Sequence, residues 1–79
     1  MAKSMHTAAW NKLLDQLVEM RLARGWTQQK LAEKIERTQS FVSKIERGER
    51  RLDVLEFCQW MHALGNDPAE VISLLAKEV

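Results

Sequence analysis

Apolar residues recur along most of this chain at the three- and four-residue spacing of an amphipathic α-helix, and no segment alternates as a half-buried β-strand does. Each of the three glycines, Gly25, Gly48 and Gly65, directly follows such a segment, where a left-handed residue can end a helix. The single proline, Pro68, suits the first turn of another helix. The pattern therefore predicts five helices, over about residues 7–24, 28–35, 39–47, 54–64 and 68–78.

The second and third predicted helices are short and lie very close together in the sequence. Leu31 and Ile35 give the second helix an apolar face, and Val42 and Ile45 give the third helix one. Only residues 36–38 separate them, so the chain must turn sharply there. Two helices that meet at a tight corner, the second with polar side chains facing outward, are typical of a helix-turn-helix, here over residues 27–48.

Capping residues support these boundaries. Thr27 and Thr38 precede the second and third helices, where a hydroxyl can accept a hydrogen bond from one of the first N–H groups, which lack partners within the helix. Asp53 precedes the fourth helix and Glu56 follows three residues later, which is the arrangement of a capping box.

The length and residue types of the chain exclude several classes of function. Seventy-nine residues predict one domain, with a frayed start over residues 1–6. Cys58 is the only cysteine, and with His62 it supplies too few ligands for a metal, so we expect neither a disulfide nor a cofactor. No nucleophile–base set or phosphate loop indicates an enzyme. Without a signal peptide or an apolar run of about 18 residues, we expect a cytoplasmic protein that does not enter a membrane.

Charge is divided unevenly along the chain, although the overall net charge is only +1. Residues 21–51 carry nine Lys/Arg and four Asp/Glu, a net charge of +5, and the remainder carries three and seven, a net charge of −4. The positive potential therefore surrounds the predicted helix-turn-helix, as expected for a protein that approaches nucleic acid.

Residues from about 17 to 65 resemble the phage-repressor-like Cro/XRE helix-turn-helix family in apolar spacing, caps, glycines and surface polar residues. The resemblance implies an all-α, five-helix, lambda-repressor-like domain. It also implies a sequence-specific, DNA-binding transcriptional regulator, a repressor or autoregulator, associated with a prokaryotic or phage-type nucleoid. One position departs from the family, because Glu36 stands where many relatives have glycine.

The resemblance assigns Gln39, Ser40 and Lys44 to base edges. Their chemistry fits, since glutamine can bond adenine bidentately and lysine can donate to guanine. Gln28 would touch the DNA backbone and support the start of the third helix. Phe41 has two open alternatives, contact with a thymine methyl group or packing against the second helix or the following loop. The complete predicted DNA-binding set is Thr27, Gln28, Thr38, Gln39, Ser40, Phe41, Ser43, Lys44, Arg47, Arg50 and Arg51.

Most other members of this set are predicted to hold phosphates, and the three arginines would otherwise form a solvated basic turn. In the family, the residues matching Arg21 and Glu46 form a buried ion pair that ties the first helix to the end of the third.

We also expect a homodimer built from the C-terminal helices. The fifth helix has one apolar stripe at Val71 and Leu74 for its own core, and a second that a chain of this size can hardly bury alone. The alternative is that a second stripe on the first helix covers the fifth. The predicted interface is Leu55, Trp60, Ile72, Leu75 and Val79. A second function remains open, the antitoxin of a toxin–antitoxin pair that binds another small protein as well as DNA.

Overall fold

The computed structural model describes residues 7–79, and within this range it contains five α-helices and no β-strand. The all-α prediction is confirmed, and every helix end lies within two residues of its predicted position. The predicted frayed start over residues 1–6 lies outside the described residues. The helices are α1 (Ala8–Ala23), α2 (Gln28–Lys34), α3 (Gln39–Glu46), α4 (Val54–Leu64) and α5 (Pro68–Ala76).

Side chains cap the two helices of the predicted helix-turn-helix and the helix that follows them. Thr27 Oγ1 accepts from Lys30 N at 3.0 Å, and Thr38 Oγ1 accepts from Phe41 N at 3.1 Å. At α4, Asp53 Oδ1 accepts from Glu56 N at 2.7 Å, and the Glu56 carboxylate accepts from Asp53 N at 3.0 Å. Each cap satisfies a helical N–H group that would otherwise lack a partner, which is worth about 1 kcal/mol.

The corner between α2 and α3 is made without glycine. Glu36 has a φ of 58°, the left-handed conformation that side chains disfavour by roughly 1–2 kcal/mol. After it, Arg37 N donates to Ala32 O at 2.9 Å and closes the turn. Ala32 itself is fully buried, so α2 and α3 approach closely at a residue with a small side chain.

The core lies where α1, α2, α3 and α4 meet, and α5 adds Val71 to it. Its largest fully buried side chains are Trp60, Leu17, Leu31, Ile45, Met61 and Val42. Burial of this apolar surface is the main stabilisation available to so small a domain.

The sequence prediction for Trp60 as an exposed interface residue is wrong, because its exposure is 0%. The buried face of α4 consists of Phe57, Trp60, Met61 and Leu64. Val54, in the first turn of the same helix, is 75% exposed. The helix is thus turned so that the large indole enters the core and the smaller valine faces outward, which buries more apolar area.

One residue of α5 lies on a different face of the helix from the one predicted. Val71 is buried as expected, but Leu74, also assigned to the core, is 54% exposed. The second stripe remains largely uncovered, since Ile72 and Val79 are exposed and Leu75 is half-buried. The second stripe of α1 does not cover it, because Leu14 belongs to the core and Leu22 is 60% exposed. Among the described residues, no helix is long and apolar enough to cross a membrane.

Candidate nucleic-acid interface

Helix α3 presents one apolar and one polar face. Val42 and Ile45 are fully buried against the other helices. On the opposite side Gln39, Ser40 and Lys44 are exposed. The three residues that sequence reasoning assigned to base edges therefore lie on one accessible face of a capped helix.

A buried ion pair holds this helix against α1. Arg21 Nε donates to Glu46 Oε2 at 2.7 Å, and Arg21 Nη2 donates to Glu46 Oε1 at 3.0 Å. Arg21 Nη1 also donates to the carbonyl oxygen of Trp26 at 2.8 Å. The side chains are only 11% and 5% exposed, so this bidentate pair fixes the end of α3 relative to α1.

Gln28 connects that ion pair to the start of α3. Its Nε2 donates to Glu46 Oε1 at 2.9 Å, and its Oε1 accepts from Gln39 Nε2 at 2.6 Å. The carboxylate of Glu46 can only accept hydrogen bonds, so Gln28 must turn its amino group toward it. Its carbonyl oxygen consequently faces Gln39, and Gln39 must turn its own amino group toward Gln28.

Phe41 does not lie on the accessible face of α3. The residue is 8% exposed, and its ring centroid lies 6.2 Å from that of Trp60 on α4. The guanidinium carbons of Arg37 and Arg50 lie 3.8 Å and 4.7 Å from the centroid of the Phe41 ring. Of the two alternatives for Phe41, the structure shows packing: α4, Arg37 and Arg50, the last in the loop after α3, cover the ring.

Glu56 holds both of those arginines. Its carboxylate accepts from Arg50 Nη1 at 3.0 Å and Nη2 at 3.1 Å, and from Arg37 Nη1 at 3.3 Å. Together with the backbone N–H of Asp53, these bonds lower the pKa of Glu56 to about 2, the hydrogen bond from Arg50 contributing most. Sequence reasoning found Glu56 only as a capping residue, because nothing local indicates its contacts with Arg37 and Arg50.

The remaining predicted phosphate ligands lie at the starts of α2 and α3, within α3, and in the segment that follows it. Thr27, Thr38 and Arg47 are exposed, and Ser43 is half-buried. Arg47 forms a solvated ion pair with Glu49 at 3.1 Å. The guanidinium carbon of Arg51 lies 5.5 Å from the centroid of the Trp10 ring.

The described part of the chain contains no group of three or more His, Cys, Asp and Glu side chains that could hold a metal ion. Cys58 is half-buried on α4, where it lines an apolar groove of about 510 Å³ together with residues of α1 and α5.

Comparison with known proteins gives a consistent result. A family model described as helix-turn-helix matches residues 17–71. A solved structure of an XRE-family like protein from Pseudomonas syringae pv. tomato str. DC3000 is 47% identical, with a TM-score of 0.86, and the match covers 98% of this chain and 94% of that chain. No curated protein shows significant sequence similarity.

Two further solved structures are named as regulatory proteins. The clp gene regulator ClgR from Corynebacterium glutamicum is 26% identical, with a TM-score of 0.77, covering 91% of this chain and 77% of that chain. A variant of the restriction–modification controller protein C.Esp1396I is 29% identical, with a TM-score of 0.78, covering 91% of each chain.

Proposed function

Because this chain belongs to the XRE family of helix-turn-helix DNA-binding regulators, we propose that it represses transcription, its own or that of neighbouring genes, by binding a specific duplex sequence with α3. The proposal rests mainly on a hydrogen-bond network that runs from the Arg21–Glu46 pair through Gln28 to Gln39. It gives a side chain on the exposed face of α3 one defined orientation before DNA arrives.

That orientation matches adenine. Gln39 uses one hydrogen of its amino group on Gln28, which leaves its carbonyl oxygen and its second N–H available. In the major groove adenine offers N6–H₂ as a donor and N7 as an acceptor, the complement of those two groups. An unsupported glutamine could rotate its amide by 180° and lose this match, so the contact with Gln28 favours adenine.

Lys44 and Ser40 extend the reading face along α3. Lys44 has three donors and suits guanine O6 and N7, while Ser40 can donate or accept. Thr27, Thr38, Ser43, Arg47 and Arg51 surround this face and would bind phosphates, which set the position of the helix in the groove. Gln28, in contrast, already uses its carbonyl oxygen and one of its two N–H groups within the protein.

We further propose that two copies associate through α4 and α5. Leu55 is 75% exposed and Val79 is 92% exposed, and Ile72, which is 49% exposed, lines the groove between α1, α4 and α5. Such a patch on a small domain favours an interface. A two-fold dimer would place two copies of α3 in half-sites about one helical turn, roughly 34 Å, apart.

Selection of bound sequences from a random duplex pool tests the function. We expect enrichment of a short motif containing adenine, repeated with two-fold symmetry. A pool that remains random after several rounds would contradict sequence-specific binding. Sedimentation at micromolar concentration tests the dimer, and a protein that stays monomeric alone and on the selected site would contradict it.

Purification distinguishes the proposed regulator from the alternative function, an antitoxin. An antitoxin would retain a second, unrelated small protein when purified untagged from its source. A regulator that acts alone would sediment only as copies of this chain, and we favour this because α5 forms an ordinary helix whose exposed apolar residues a second copy can cover.

A further inference from the structure

We propose that Glu56 withholds Arg37 and Arg50 from DNA phosphates and so lowers the sequence-independent affinity of the interface. The inference rests on the proposed function, since it concerns how the binding free energy of that interface is divided between phosphate contacts and base contacts. Sequence reasoning assigned Arg50 to a phosphate. The structure instead brings Arg50 and Arg37 together on one carboxylate beside the recognition helix.

The geometry of this cluster favours the carboxylate as the partner of both arginines. Arg50 binds Glu56 through two parallel N–H···O bonds, the same fork with which arginine binds phosphate. Arg50 Nη1 also donates to the carbonyl oxygen of Arg51 at 2.8 Å. Glu56 is 13% exposed at its side chain, whereas the side chains of Arg37 and Arg50 are 37% and 41% exposed. A phosphate would therefore compete with a carboxylate that is partly shielded from water and already positioned.

Two further contacts stabilise the arginines in place. The Phe41 ring lies within 4.7 Å of both guanidinium carbons, close enough for cation–π attraction. Glu56 also accepts a hydrogen bond from Asp53 N, so its carboxylate cannot swing away without breaking one of the two bonds of the capping box. The low pKa of Glu56 keeps it charged at neutral pH.

The consequence for recognition follows from the two kinds of DNA contact. Phosphate contacts raise affinity for every sequence, and each additional one steepens the dependence of binding on salt by about 0.9 logarithmic units per decade. Base contacts, by contrast, distinguish one sequence from another. Occupying two arginines internally leaves the base contacts of α3 unchanged and lowers the affinity for every sequence. Base contacts therefore supply a larger share of the binding free energy, and fewer non-cognate sites are occupied at a given protein concentration.

Glu56→Gln tests this directly. Glutamine can still accept from Asp53 N in a capping box, so α4 should keep its start, while the charge that holds the arginines is lost. We expect affinity for a random-sequence duplex to rise about threefold or more, and the salt dependence to steepen by about 0.9–1.8. Thermal unfolding followed by circular dichroism verifies that the variant folds.

Asp53→Asn provides the matched control. It removes the same charge from the same helix start, and asparagine caps as well as aspartate does. The Asp53 side chain makes no hydrogen bond with either arginine among those of the described residues, and it acts on Arg50 only through its charge. Its loss therefore reports the change in electrostatic field without breaking the hydrogen bonds that hold the arginines. Equal gains for both variants, or no gain for Glu56→Gln, would overturn the proposal.

Arg50→Ala completes a double-mutant cycle. With Glu56 present, its effect on random-sequence affinity should be less than twofold, and with Glu56→Gln it should remove the part of the gain that Arg50 supplies, leaving the part that Arg37 supplies. Effects of equal size in both backgrounds would also overturn the proposal. Failure of the proposed function itself would look different, because the unaltered protein would then select no sequence from the random pool.

Discussion

Gln39 donates to Gln28 across the corner between α2 and α3, at 2.6 Å, and through this bond the amide of a base-reading side chain has one orientation in the free protein. The orientation originates in a buried carboxylate, since Glu46 requires the amino group of Gln28. An exposed glutamine ordinarily loses conformational entropy when it binds a base. Here part of that loss occurs on folding, so the contact with adenine is preorganised.

Gln28→Ala should therefore weaken specificity without removing any base contact. We expect its affinity for the selected site to fall by about 1 kcal/mol or more, and its affinity for a scrambled duplex to change little. Gln29→Ala is the matched control, because Gln29 lies next to Gln28 on α2 and contacts only Glu33, at 3.4 Å, among the hydrogen bonds of the described residues. Fluorescence anisotropy with both duplexes measures the difference, and equal losses on the two duplexes would exclude a role in specificity.

The Arg21–Glu46 pair should be strongly coupled in stability. Each single change to alanine leaves a charge in a poorly solvated position, which should cost about 3–5 kcal/mol. The double change should cost less than the sum of the two, because it leaves no unpaired charge. Chemical denaturation of all four proteins gives the coupling free energy. Additive losses within error would show that the two charges do not depend on each other.

Acid should destabilise the protein partly through Glu56. Its pKa is lower in the folded state, about 2, than its ordinary value of 4.5, so the carboxylate contributes stability that is complete above pH 4.5 and is lost as the pH falls toward 2. The free energy of unfolding of the unaltered protein should thus approach that of Glu56→Gln over this range. A constant difference between the two proteins from pH 6 to pH 2 would contradict the assignment.

Glycine at position 36 should stabilise the corner. Glu36 has a positive φ, which glycine adopts without the Cβ clash, so Glu36→Gly should raise the free energy of unfolding by about 1 kcal/mol. Glu19→Gly, in the middle of α1, should instead lower it by roughly 0.5–1 kcal/mol, because glycine disfavours a helix interior. Urea denaturation compares them, and a loss of stability in both variants would show that the corner is unstrained.

Sequence-based predictions were accurate where neighbouring residues decide the structure, and they failed where packing between distant segments decides it. The ends of α2 and α3 were predictable because Thr27 and Thr38 cap helices whose apolar residues lie within one or two turns. The face of α4 was misjudged because Val54 and Trp60 lie on different stripes, and only the space left by the other helices decides which enters the core. The contacts of Glu56 with Arg37 and Arg50 were missed because they join residues from three separate segments.

The central claim is that Gln39, held by Gln28, reads adenine in the major groove. It is tested most directly by replacing each adenine of the selected site, one at a time, with 7-deazaadenine, which lacks only the N7 acceptor. We predict that one replacement per half-site weakens binding of the unaltered protein by about 1 kcal/mol or more, and that the same replacement has no effect on Gln39→Ala. If no replacement weakens binding, or if Gln39→Ala responds to the same position as strongly as the unaltered protein, the claim is contradicted.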